Sequence, residues 1–406
     1  MPSTLPDGGP APPDGALPDS AVRGAAARPL GIYLHVPFCA TRCGYCDFNT
    51  YTADELGDGV NRATYVDTAL KELRLARHIL GGDTRKVSTV FVGGGTPTLL
   101  PPPDLGRMLS AVDEMFGLEA GAEVTTESNP ESVDARTLRD LREAGFNRIS
   151  FGMQSAKEHV LAVLDRQHTP GRVAQAVREA RAAGFDNVSV DLIYGTPRES
   201  DDDWRASVDA AIETGVDHVS AYSLIVEPGT RLATRVNRGE LPRPDDDVLA
   251  DRYLIADEIL ADAGFRWYEV SNWARSPQQA CKHNLLYWTG GDWWGVGPGA
   301  HSHVGGVRWW NVKHPKAYAE RLAGKTSPAH AREVLDDAAR HTEDVLLRIR
   351  LSEGLSLSAL SAVERQAAEQ ARADGLFDKA MFDEGRAVLT LRGRLLADAV
   401  VRALLD

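Results

Sequence analysis

Three times in this chain a helix-forming stretch runs into the same three residues, Ala144-Gly145-Phe146, Ala183-Gly184-Phe185 and Ala263-Gly264-Phe265. Glycine takes the left-handed cap that ends a helix, and the Phe restarts an apolar strand. Repetition of this junction marks repeated βα units. Such units hide their apolar faces in a parallel sheet wrapped by helices, either open or rolled into a partial or complete (β/α) barrel. The expected strands are Gly31 to Phe38, Val87 to Val92, Glu123 to Thr126, Arg148 to Met153, Val188 to Tyr194, His218 to Val226 and Phe265 to Trp273. Val66, Ala69, Leu70, Leu73 and Leu80 mark one face of a helix between the first two. Thr169-Pro170 reads as the N-cap and first-turn proline of another. The fold class is therefore α/β, with ligands expected at the C-terminal ends of the strands.

A chain of 406 residues suits one large domain with a smaller one attached. Residues 1–28, rich in Pro, Gly and Ala, read as a disordered leader. Residues 29–315 form the main domain. Residues 316–406 form a small, mainly helical, winged-helix-like C-terminal domain, with helical periodicity from His341 to Leu351 and Leu355 to Arg372, then a short Val388 to Leu391 run. The net charge of -13 argues against a nucleic-acid partner, because phosphate contacts need clustered Lys and Arg. No run reaches the roughly 18 apolar residues that span a bilayer. The N-terminus lacks the basic start and apolar core of a signal peptide, so a cytoplasmic address is expected.

Three of the four cysteines fall within eight residues, Cys39-Ala40-Thr41-Arg42-Cys43-Gly44-Tyr45-Cys46, directly after the first expected strand. Clustered thiolates suit a metal centre in a reducing compartment better than a disulfide framework. They are soft ligands for zinc or an iron-sulfur cluster, and the second ligand pair usual for zinc is absent nearby. Three ligands for four irons leave one iron open. One βα unit later comes Phe91-Val92-Gly93-Gly94-Gly95-Thr96-Pro97-Thr98, where backbone amides can approach a ligand that a Cβ would repel. CxxxCxxC followed by this glycine turn resembles the radical S-adenosylmethionine (SAM) superfamily. That resemblance implies a 4Fe-4S cluster on Cys39, Cys43 and Cys46, whose open iron chelates SAM for reductive cleavage to a 5'-deoxyadenosyl radical.

Tyr33, Glu127, Gln154, Arg166 and Asp191 stand in or near the ends of expected strands. Together they resemble the HemN/HemW group, the oxygen-independent coproporphyrinogen III oxidases and their relatives, from about Leu30 to the C-terminus. The resemblance implies SAM contacts from Tyr33, Tyr45, Gly94, Gly95, Thr96, Glu127, Gln154, Arg166 and Asp191. Carboxylates would take its ribose hydroxyls or ammonium, and Gln154 and Arg166 would orient carboxylate groups.

The group holds both a radical decarboxylase of porphyrinogen propionates and a haem chaperone. Cys46 is followed by Asp47-Phe48, whereas the oxidase pattern has another cysteine two positions after the third. The expected disorder of the leader also departs from the oxidase, which carries an ordered extension. His283-Asn284-Leu285-Leu286-Tyr287-Trp288 resembles the HNxxYW haem-binding motif, and seven of the eight tryptophans lie between Trp267 and Trp310. An exposed neutral imidazole is a common ligand of haem iron, and aromatics stack on a macrocycle. The implied haem contacts are His283, Asn284, Tyr287 and Trp288, within a segment spanning 281–303. His301 and His303 read as second ligands or as loop residues, and Cys281 as a thiolate ligand or an inert thiol. The expectation is a haem chaperone, with the oxidase as the alternative and a purely structural cluster protein as a third reading. Expected partners are acceptor haemoproteins, including membrane-bound respiratory enzymes that place the chain at the membrane periphery, and an electron donor for the cluster.

Overall fold

The computed structural model describes residues 5–56, 61–166, 168, 169 and 171–405. One sheet holds thirteen strands among them: β1 (Gly9–Pro10), β2 (Leu30–Val36), β3 (Val87–Gly94), β4 (Leu118–Ser128), β5 (Arg148–Gln154), β6 (Asn187–Tyr194), β7 (His218–Ser223), β8 (Arg266–Glu269), β9 (Asn272–Ala274), β10 (Asp292–Val296), β11 (His301–Val304), β12 (Val307–Asn311) and β13 (Ala329–Val334). Their order is β1-β13-β12-β11-β10-β2-β3-β4-β5-β6-β7-β9-β8, and every pairing from β10 through β7 is parallel. The sheet keeps two free edges, so the barrel is partial.

The three Ala-Gly-Phe junctions act as their chemistry requires. Gly145, Gly184 and Gly264 all take positive φ, and the Phe amides donate back to the carbonyls of Leu141, Ala180 and Leu260. The Phe side chains are buried, so each junction closes a helix and pins it to the core in one step. Along β2, Ile32, Leu34 and Val36 pack under Val66, Ala69 and Leu73 of helix Arg62–Leu80, whereas Tyr33 and His35 face a cavity on the opposite side. Period-two alternation thus divides an apolar outer layer from a polar interior.

Several expectations need correction. The third junction does not lead to one strand: the chain reverses at Val270-Ser271, where the Glu269 carboxylate accepts from the Ser271 and Asn272 amides, producing an antiparallel β8–β9 hairpin. The cap expected at Thr169 is not used. The helix starts at Arg172 behind Gly171, and Pro170 lies outside the described residues.

The leader, expected without structure, is an edge. Gly9 and Pro10 pair with β13, Pro13 O accepts from Ser327 N at 2.7 Å, and Ala21 is fully buried. Composition counts apolar side chains and misses a segment held by its backbone. The boundary at 315/316 also moves, because β13 belongs to the sheet and helix Pro315–Ala323 packs on helix Arg62–Leu80 through Tyr318 and Leu322. The C-terminal domain has its own core from Val345 to Leu404, built from helices with a two-residue antiparallel ladder at Leu355–Ser356 and Arg386–Ala387. Its second long helix begins at Ala362 rather than Leu355, set by the Ser361–Glu364 capping box. Arg394 fastens this domain to the barrel through two bonds to Asp257, at 2.8 and 2.7 Å, while lying over the Trp267 ring.

Candidate functional site

Five adjacent parallel strands, β2 to β6, deliver the site residues to one end of the sheet. The cysteine loop leaves β2, Gly94, Gly95 and Thr96 close β3, Glu127 ends β4, Gln154 ends β5 and Asp191 lies in β6. They line a cavity of about 1410 Å³ that also holds Cys39, Cys43, Tyr45, Cys46 and Arg166. All three cluster cysteines and eight of the nine residues expected at SAM are therefore brought together. Phe48, Asp165 and Tyr222 join them without any sequence signal beyond proximity to a motif.

The loop is held by its backbone. Cys39 N donates to Tyr51 O (3.0 Å), Gly44 N to Leu164 O (3.0 Å), and Gly44 O accepts from Leu232 N (2.8 Å). Gly95 lies against the thiols: a Cβ there would stand 2.4 Å from Phe38 O and 2.9 Å from Cys39 Sγ. Among the described residues no three His, Cys, Asp or Glu side chains converge on a single ion. A four-iron cluster asks for a different arrangement, in which each thiolate takes its own iron. Burial pushes the Cys46 thiol up to about 11 and raises Cys39 as well, so cluster binding releases protons from this loop.

Arg166 reaches Cys43 Sγ with Nη1 (3.6 Å) and Gly152 O with Nη2 (2.9 Å), while its buried Nε has no partner. A Cβ on Gly152 would stand 2.9 Å from both Arg166 Nη2 and Gln154 Nε2, so this glycine makes room for the pair. Gln154 and Asp165, both on the cavity wall, adopt positive φ of 65° and 51°, a strained backbone of the kind concentrated at ligand sites. Glu127 accepts from Gly94 N (3.1 Å), and burial, with Asp191 nearby, pushes its carboxyl up to about 8. Burial also raises Asp191, which Ser150 Oγ bonds at 3.1 Å. An orphaned guanidinium nitrogen and two desolvated carboxyls fit a zwitterionic ligand with hydroxyls.

Tyr33 is the exception. It faces a second cavity of about 530 Å³, walled by Tyr287, Trp293, His301 and His303 and sharing Phe48, Gly94 and Glu127 with the first.

The HNxxYW segment forms helix Lys282–Trp288, which closes the barrel interior from the side of the strands' N-terminal halves. The expected exposure of His283 is not found. Its ring is buried, stacked 5.3 Å from Phe91, with Nδ1 on Thr89 Oγ1 and Nε2 on Tyr287 OH, both at 2.8 Å. Burial lowers its pKa to about 3. Asn284 donates to Glu269 Oε1 (2.9 Å), and Trp288 is half-buried at the helix end. Cys281 is buried, which pushes its thiol up to about 12, and it lies 3.6 Å from Glu123 Oε1. Among the described residues no helix is long and apolar enough to cross a membrane.

Comparison with known proteins agrees with this geometry. The Radical SAM superfamily profile matches residues 33–211. The heme chaperone HemW of Mycobacterium tuberculosis is 58% identical over 378 residues, which are 93% of this chain and 95% of that protein. HemW of Bacillus subtilis is 32% identical, over 92% of this chain and 98% of its own length. The solved coproporphyrinogen III oxidase HemN of Escherichia coli shares the fold, with a TM-score of 0.80 over 96% of this chain and 93% of that one at 24% identity. The chain thus belongs to the HemW family of radical SAM proteins.

Proposed function

We propose that this protein is a haem chaperone that binds haem and passes it to acceptor haemoproteins. The observation that carries the reading is the 58% identity to a heme chaperone, spread over 93% of the chain. The substitution of Asp47-Phe48 where the oxidase pattern has a further cysteine favours it over porphyrinogen decarboxylation.

In this reading Cys39, Cys43 and Cys46 hold a 4Fe-4S cluster, which when bound supplies single electrons and one open iron. The Gly94, Gly95 and Thr96 backbone lies along the methionine part of SAM. Arg166 Nε and Gln154 take its carboxylate, Glu127 and Asp191 take ribose hydroxyls or the ammonium, and Tyr45 packs against the nucleoside. Tyr33 acts from the neighbouring cavity. The helix carrying His283, Asn284, Tyr287 and Trp288 builds the floor of the haem compartment. An electron donor serves the cluster, the acceptors include membrane-bound respiratory enzymes, and four free thiols suit a cytoplasmic address.

An anaerobic haem titration of the cluster-reconstituted protein tests the reading. Saturable binding at one haem per chain is expected. Absence of binding, together with decarboxylation of coproporphyrinogen III under reductant and SAM, overturns it.

A further inference from the structure

His35, His301 and His303 line the second cavity and His283 stands behind its Tyr287 wall, and three of these four have both ring nitrogens engaged. His283 is held by Thr89 and Tyr287. His303 is held by Gly291 O (3.0 Å) and Gly306 N (3.2 Å). His35 is held by Tyr33 OH (3.0 Å) and Asn49 O (2.8 Å). His301 differs: its Nε2 is buried without a hydrogen-bond partner, and the residue lines the cavity. The Trp310 ring stacks on the imidazole at 5.9 Å and 28°, and Trp293 Nε1 donates to the His301 carbonyl at 3.0 Å. The ring is therefore oriented by its neighbours, and its Nε2 is left without a hydrogen-bond partner. An unpaired buried imidazole nitrogen costs free energy that a bound ligand recovers.

We infer that haem binds in this cavity with the His301 imidazole as the axial ligand of its iron, a step that rests on the haem-chaperone reading.

The cavity, about 530 Å³, falls within the roughly 300–1,000 Å³ range of small-molecule sites. Tyr33, Tyr287 and Trp293 give it aromatic walls suited to a flat apolar macrocycle. Tyr287 and Trp293 already meet edge to face at 4.6 Å. Arg308 stands at the rim, paired with Glu343 and Glu333, and offers a cation to a propionate by exchange of partners. The HNxxYW segment contributes through Tyr287, while His283 positions the Tyr287 hydroxyl from below instead of meeting the iron. The walls shared at Phe48, Gly94 and Glu127 set the haem edge beside the SAM cavity.

The test is a haem titration of cluster-reconstituted wild type, His301→Gly and His283→Ala, following the haem absorption band and the ferric electron-paramagnetic-resonance signal. Native far-UV circular dichroism is required of each variant. His301→Gly is expected to lose the ligated spectrum and at least tenfold in affinity, with free imidazole restoring the spectrum, whereas His283→Ala retains a histidine-ligated spectrum and loses affinity only through the freed Tyr287 hydroxyl. An unchanged band and affinity in His301→Gly, while wild type binds haem, overturns the axial assignment and leaves the chaperone reading standing. A ligated spectrum that imidazole does not restore in natively folded His301→Gly also overturns it, as does loss of that spectrum in His283→Ala alone. Failure of wild type to bind haem overturns the chaperone reading itself.

Discussion

Replacing Gly95 with alanine places one methyl group against the cluster loop. The added carbon would lie 2.4 Å from Phe38 O, 2.8 Å from Phe38 C and 2.9 Å from Cys39 Sγ, and two of these three atoms are backbone. Phe38 O also accepts from Thr96 N at 2.7 Å, and Gly95 N donates to Val36 O at 2.8 Å, so relief by backbone movement disturbs bonds that tie β3 to the loop. Overpacking of this kind costs about 1–3 kcal/mol. Lower entropy of the unfolded chain returns about 0.4–1 kcal/mol. The net loss is about 1–2 kcal/mol, which at about 2.1 cal/mol/K per residue over 406 residues lowers Tm by only about 1–2 °C. The larger effect is local, because displacement of Cys39 Sγ spoils one of three thiolate positions. Iron and sulfide per chain after anaerobic reconstitution should fall well below wild type while the apoprotein stays folded. Gly82→Ala is the control, since a Cβ there meets nothing within 4 Å. Wild-type iron content and Tm in Gly95→Ala would refute the reasoning.

Cys43→Ala should abolish the cluster's visible absorption and leave far-UV circular dichroism unchanged, because this side chain is only half-buried in a loop; an unaltered visible spectrum contradicts the ligand assignment. Glu72 is fully buried among Gly297 N, Asn311 Nδ2 and Tyr318 OH, and burial raises its carboxyl to about 7. Its contribution is complete below the ordinary value of 4.5 and is lost as pH rises through 7, so Glu72→Gln should flatten the decline of Tm across that window. An unchanged slope argues against a protonated Glu72. Arg394→Ala removes a bidentate ion pair and a guanidinium stacked on Trp267, and should cost about 2–4 kcal/mol at the domain junction. The expected readout is faster proteolytic cleavage between 335 and 345, and equal rates count against the junction.

The parallel core was legible because it is local. Gly145, Gly184 and Gly264 carry their cap geometry in three residues, and period-two runs such as Val188 to Tyr194 name their own strands. The cluster loop and glycine turn were legible for the same reason, since each is one contiguous motif at a strand end. What failed was non-local. Gly9-Pro10 gains structure only from a partner more than 300 residues away, and β13 joins a sheet from beyond an expected domain boundary. Glu269-Asn272 turns the chain through side-chain bonds that periodicity does not see. His283 looked like a ligand because its motif lists its neighbours in sequence, whereas Thr89 and Phe91, which occupy and cover its ring, come from β3. His301 was legible only as a second ligand or a loop residue, and its unpaired nitrogen emerges only once Trp310 and Trp293 are placed around it.

Haem transfer tests the central claim most directly. Cluster-reconstituted protein loaded with one haem is mixed anaerobically with increasing concentrations of an apo-haemoprotein, and the acceptor's absorption band is followed. Direct delivery predicts a transfer rate that rises with acceptor concentration. A rate that is independent of the acceptor and equal to haem dissociation into buffer contradicts the account.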